Sequence, residues 1–140
     1  MTFFIDTNVI IYAATESQYR EPCIEVLEAA VSVGAGRTST AVLEELWHIE
    51  RSGRVAGLDG IADRAYRMLT PLLPVTDRAV RHALDLAAPA GLGTNDRVHL
   101  GTCRDHDIDT IVTADAAFSG LDMVRRVDPL DRGGRRALLG

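Results

Sequence analysis

Four carboxylates stand where this chain could carry chemistry. Asp6 closes the apolar run Phe3-Phe4-Ile5, and Asp115 follows Ile111-Val112-Thr113 at the end of a second short run with β-branched residues. Ligands gather at the carboxyl ends of strands in an open parallel sheet, so two such acids can be neighbours in space though far apart in sequence. Taken singly, each reads first as an aspartate capping the helix after it, worth about 1 kcal/mol. Glu45 lies in the stretch STAVLEELWHIE. At about 100° per residue Val42, Leu43, Leu46, Trp47 and Ile49 form one apolar stripe, with Glu45 on its flank. Glu44 points to the other side with His48 and Arg51 and reads as solvated, so Glu45 is the acid better placed at the rim of a core. Asp96 opens a helix, where the dipole alone favours an acid. It shares a face with His99, Leu100 and Cys103, a mostly uncharged stripe that packs inward.

Carboxylates converging in a dry corner repel one another, and a hard divalent cation resolves the conflict. Oxygen donors without a His or Cys cluster point to Mg²⁺ or Mn²⁺ rather than Zn²⁺. Such a centre polarises a phosphoryl oxygen and acidifies a water. The reaction inferred is metal-assisted hydrolysis of a phosphodiester.

Elements able to position these acids alternate along the chain. A first strand is expected over Thr2–Asp6 and a short helix over Asn8–Ala13. A helix should begin at Glu21-Pro22, since proline suits a first turn, and stop at Gly34 and Gly36. A brief strand at Arg37–Ser39 leads to a helix over Ala41–Arg51 capped by Ser39 or Thr40. A helix over Leu58–Leu73 ends at Pro74. Thr76 caps the next helix, whose inward face should be Val80, Ala83, Leu84 and Ala87. Thr94 should cap a helix over Asn95–His106. A strand falls within DTIVTAD, and Met123–Val127 forms the last one. This alternation predicts an α/β layered sandwich around a mainly parallel sheet. Residues 1–130 form one domain, and 131–140 read as a mobile tail.

The chain has 140 residues, of which 46% are hydrophobic and 25% charged, enough for a single globular core. Its net charge of −5 excludes a simple basic nucleic-acid coat. All fifteen basic residues are Arg, which removes lysine Schiff bases and Walker P-loops. Cys23 and Cys103 fit neither a disulfide framework nor a zinc motif and read as small core residues. The apolar N-terminus has no basic flank and is interrupted by Asp6, so neither a signal peptide nor a membrane span is expected, and the cytoplasm is the expected location.

Four segments, FIDTNVIIYA, TSTAVLEEL, GTNDRVHLGTC and DTIVTADAAF, occur in that order over nearly the whole chain. Together they resemble a PIN-domain ribonuclease of the VapC type, the toxin of bacterial toxin–antitoxin pairs. The resemblance implies a PIN-like three-layer α/β/α sandwich and an endoribonuclease whose catalytic and metal-binding acids match Asp6, Glu45, Asp96 and Asp115. Glu45 rather than Glu44 is matched because it lies six residues after Ser39. Mg²⁺ or Mn²⁺ is the implied cofactor, with Asn8 and Thr113 orienting water or phosphate beside it. Also implied are an RNA substrate such as tRNA or rRNA, a homodimer, and an antitoxin whose arginine could displace the cation. Many members carry a further acid after the fourth, where this chain has Ala116 and Ala117, which leaves a second metal position open.

His99 reads as packing, His48, His82 and His106 as surface residues, and Trp47 as core. Arg125, Arg126, Arg132, Arg135 and Arg136 are candidates for phosphate contacts, or else a solvated tail. Met68, Leu69 and Leu72 belong to the core or to a partner groove. Two other functions compete. A haloacid-dehalogenase-like phosphatase would want an acid where Asn8 stands and a lysine this chain lacks. A non-catalytic α/β binding module would keep the fold without turnover.

Overall fold

The computed structural model describes residues 1–87, 89 and 91–140. Four short strands, β1 (Phe3–Ile5), β2 (Gly36–Arg37), β3 (Thr110–Val112) and β4 (Arg125–Val127), form one parallel sheet in the order β2-β1-β3-β4. Around it pack α1 (Thr7–Ala13), α2 (Arg20–Val33), α3 (Thr40–Ser52), α4 (Ile61–Leu69), α5 (Asp77–Asp85), α6 (Thr94–Asp105) and α7 (Arg132–Ala137). This is the expected three-layer α/β/α sandwich. The two central strands are apolar but for Thr110 and buried throughout, as a covered parallel sheet requires. From β1 the chain crosses to one side to make β2, and from β3 to the other to make β4. The carboxyl ends of β1 and β3 therefore bound the crevice where strand order reverses.

Local signals set most element ends. Ser39 Oγ accepts from Val42 N and caps α3, and Thr76 Oγ1 accepts from Ala79 N and caps α5. Gly34 ends α2 and Gly53 ends α3, both in the left-handed region that favours glycine. Cys23 and Cys103 are buried free thiols, and desolvation pushes Cys23 up to about 12. No described helix is long and apolar enough to cross a membrane.

Several expectations need correction. Thr94 is the first residue of α6, and Gly93 is its cap. The helix expected over Leu58–Leu73 is shorter, α4 alone, and Leu73 instead bridges Ser39 beside the sheet. Trp47 is 57% exposed, because α3 turns only Val42 and Leu46 fully inward. On α5 the buried residues are Ala79 and Ala83, whereas Val80 and Leu84 face outward. The segment expected to be a mobile tail holds α7, which is packed on the domain: Leu138 is buried, and Arg135 Nε donates to Glu25 Oε2 at 2.9 Å.

Candidate metal centre

Asp6 follows β1 directly and, with extended backbone, caps α1. Its Oδ1 accepts from Thr7 N at 2.8 Å, and its Oδ2 accepts from Thr113 Oγ1 at 2.7 Å and from Asn8 Nδ2 at 3.2 Å. Ile5 is in register with Val112, so Thr113, the next residue past β3, meets Asp6 across the crevice. The Thr113 hydroxyl donates to Asp6 and accepts from Asn8 Nδ2 at 2.9 Å and from Asp115 N at 3.1 Å. That fills its one donor and two acceptor positions. Asn8 Oδ1 accepts from Ala114 N at 3.1 Å. Asn8 and Thr113 thus spend their polar groups tying Asp6, at the end of β1, to the turn after β3.

Asp115 is exposed and accepts from Ala117 N at 2.9 Å, capping a single 3₁₀ turn over Ala116–Phe118. Arg126 braces this turn from β4: its Nε donates to Thr113 O at 3.1 Å and its Nη2 to Ala114 O at 2.9 Å. Its guanidinium also lies 3.2 Å from Asp128. Arg126 is therefore committed to the fold, as is Arg135 through Glu25, and the expected arginine cluster does not stand free for phosphate as a unit.

From the helices come Glu45 and His99. Glu45 Oε2 accepts from Asn95 Nδ2 at 2.8 Å, while its Oε1 lies 4.0 Å from His99 Nε2. His99 Nε2 lies 3.7 Å from Asp6 Oδ1. One donor atom from each of Asp6, Glu45 and His99 falls within 4.8 Å of the other two. Glu44 lies on the exposed face beside His48, as the helical-face reading required. Asp96 sits one turn before His99 on α6, and its Oδ2 accepts from Gly93 N at 3.3 Å.

The charges of these groups are linked. Burial raises the Asp6 carboxyl above its ordinary range; His99 and the hydrogen bonds from Thr113 and Thr7 oppose this, and Glu45 adds to it. Asp96 is also raised, first by burial and then by the negative charge of Asp6, with Asp115 contributing in the same direction. Asp6 thus feels Glu45, and Asp96 feels both Asp6 and Asp115, so one electrostatic unit contains all four acids. His99 is 1% exposed, and neither of its ring nitrogens has a hydrogen-bond partner. An unpaired nitrogen facing two carboxylates at such distances fits a divalent cation held among them. Of the expected acids, Asp96 and Asp115 are linked to this group only through charge, whereas Asp6 and Glu45 come together, and beside them lies a residue that read as packing, His99. Its signal was present in the i,i+3 spacing from Asp96 on an inward face, which reads equally as packing.

The PIN domain family model matches residues 3–123, so the chain belongs to the PIN-domain family. That membership indicates a nuclease in general terms and removes the phosphatase reading. VapBC2 from Rickettsia felis, solved bound to a DNA fragment from its promoter, superposes with a TM-score of 0.68 at 16% identity. The match covers 91% of this chain and 98% of that one. FitAcB from Neisseria gonorrhoeae gives a TM-score of 0.64 at 17% identity with the same coverage, 91% and 98%. These likenesses show the fold. A search of curated proteins gives no match.

Proposed function

We propose that this PIN domain is a metal-dependent endoribonuclease toxin of the VapC type, inhibited by a cognate antitoxin. Asp6, Glu45, Asp96 and Asp115 would hold Mg²⁺ or Mn²⁺. The observation that carries the reading is the crevice between β1 and β3, where buried Asp6 faces Glu45 and unpartnered His99 while Asp96 and Asp115 share the same field. When bound, such an ion offsets the carboxylate repulsion, polarises a phosphoryl oxygen and acidifies a water. Asp96 leaves Oδ1 outside its hydrogen bond to Gly93, which frees that oxygen to take a proton from the attacking water. The water oxygen then joins phosphorus as the bond to the leaving oxygen breaks. Asn8 and Thr113 hold Asp6 and the Asp115 turn in place through this step. Glu45 is steadied by Asn95.

An antitoxin also needs a surface. An apolar groove of about 690 Å³ runs between α1, α2 and α4, lined by Ile10, Leu27, Val31, Ala65, Met68 and Leu69. Its shape and chemistry suit the apolar face of an amphipathic helix. The test of the nuclease reading is to incubate purified protein with total RNA, with and without Mn²⁺, and sequence the new ends. Asp6→Asn serves as control. Cleavage at defined positions that needs both Mn²⁺ and Asp6 is expected. Equal cleavage by the variant, or none by the wild type freed of antitoxin, overturns the reading.

A further inference from the structure

We infer that His99 is a direct nitrogen ligand of the bound cation, which makes the centre prefer Mn²⁺ to Mg²⁺. The inference rests on the reading of this crevice as a cation site. Buried polar groups in native proteins are almost always paired, and leaving one unpaired costs about 1–3 kcal/mol. His99 is 1% exposed with both nitrogens unpaired, an arrangement that calls for a ligand. The ring packs against Phe4, with centroids 5.6 Å apart, which limits its freedom to seek another partner.

Its Nε2 lies 3.7 Å from Asp6 Oδ1 and 4.0 Å from Glu45 Oε1, both too long for hydrogen bonds. They are separations that two donors on one ion adopt: with bonds near 2.1 Å, donors sit roughly 3 to 4.2 Å apart. Both carboxylates are anchored: Asp6 Oδ2 by Thr113 and Asn8, Asp6 Oδ1 through one lone pair by Thr7 N, and Glu45 Oε2 by Asn95. The oxygens facing His99 are thus aimed there by their own anchors. Mg²⁺ favours oxygen donors and retained water, whereas Mn²⁺, a larger and softer transition ion, takes an imidazole nitrogen more readily, so the His99 nitrogen shifts preference from Mg²⁺ toward Mn²⁺.

Pulsed electron paramagnetic resonance of Mn²⁺ on the intact protein reads this ligand directly. Wild type should show ¹⁴N coupling that changes to the ¹⁵N pattern when histidine alone is labelled, and that vanishes in His99→Leu. Calorimetry should show Mn²⁺ affinity falling roughly tenfold or more in His99→Leu, with Mg²⁺ affinity changing less. Asp6→Asn should lose both ions. Mn²⁺ that binds through Asp6 but shows no histidine nitrogen overturns the ligand assignment and leaves the carboxylate centre standing. No Asp6-dependent Mn²⁺ binding at all overturns both. Should His99→Leu fail to fold, the labelled wild-type spectrum decides alone.

Discussion

Asp6 sets folding against the proposed binding of a cation. Its carboxyl is buried and its pKa raised, chiefly by desolvation, although His99 and the hydrogen bonds from Thr113 and Thr7 pull the other way. From the ordinary aspartate value, about 3.9, up to the raised native value, the folded chain holds more protons than the unfolded one. The slope of stability with pH is negative across that window, so stability present below it is lost as pH rises through the native value. Asp96, also raised, acts in the same sense. The cation-free Asp6→Asn variant, which keeps a good capping residue, should therefore melt a few degrees above wild type at pH 7, the scale of about 1 kcal/mol in such a domain. That difference should shrink as pH falls toward 4, and saturating Mn²⁺ should raise the melting temperature of wild type alone. Melting scans at several pH values check all three. The neighbouring glutamates give a second comparison. Glu45→Gln should lower cleavage by about tenfold or more, on the scale of a lost metal-site group. Glu44→Gln loses only an exposed contact with His48 and should stay within about twofold.

Between α5 and α6, backbone approach decides which side chains point inward. A Cβ on Gly101 would lie 2.2 Å from Ala79 O and 3.0 Å from Ala83 N, so the helices touch where only glycine and alanine fit. The larger Val80 and Leu84, 42% and 69% exposed, are turned away by that contact. Gly101→Ala should destabilise the domain by about 1–3 kcal/mol through overpacking, a shift that urea titration would register. Here lies the limit of what the sequence discloses. The β1 and β3 runs, the Ser39 and Thr76 caps and the more inward placement of Glu45 than of Glu44 were legible, because each is set by residues within one element. The inward face of α5 was not, since it is chosen by a glycine on another helix. Trp47 read as core by the same single-helix logic, yet it lines a groove with Leu43, Tyr66 and Leu72 between α3 and α4. His99 shared its stripe with Asp96 in the sequence, but its unpaired nitrogens mean something only once Asp6 and Glu45 arrive from other elements.

At the scale of the whole molecule, a net charge of −5 goes with exposed apolar grooves, and the proposed toxin reading assigns that apolar surface to an antitoxin. The α1–α2–α4 groove exposes Val31 to 55% and Met68 to 44%, so both can be changed without opening the core. Two ways of inhibition can therefore be told apart. An antitoxin held by helix-in-groove packing should bind at least about thirtyfold more weakly to a Val31→Glu, Met68→Glu double variant, because two apolar anchors would meet buried charge. Melting temperature and RNA cleavage by the free protein should be unchanged. An antitoxin held only by an arginine drawn into the acidic crevice should ignore both substitutions. It should instead lose affinity in Asp6→Asn and as salt rises, since screening weakens an attraction between charges and leaves apolar packing intact. Titrating the antitoxin against the three proteins at two salt concentrations separates these outcomes. Undiminished binding to the groove variant would move the docking surface away from α1, α2 and α4.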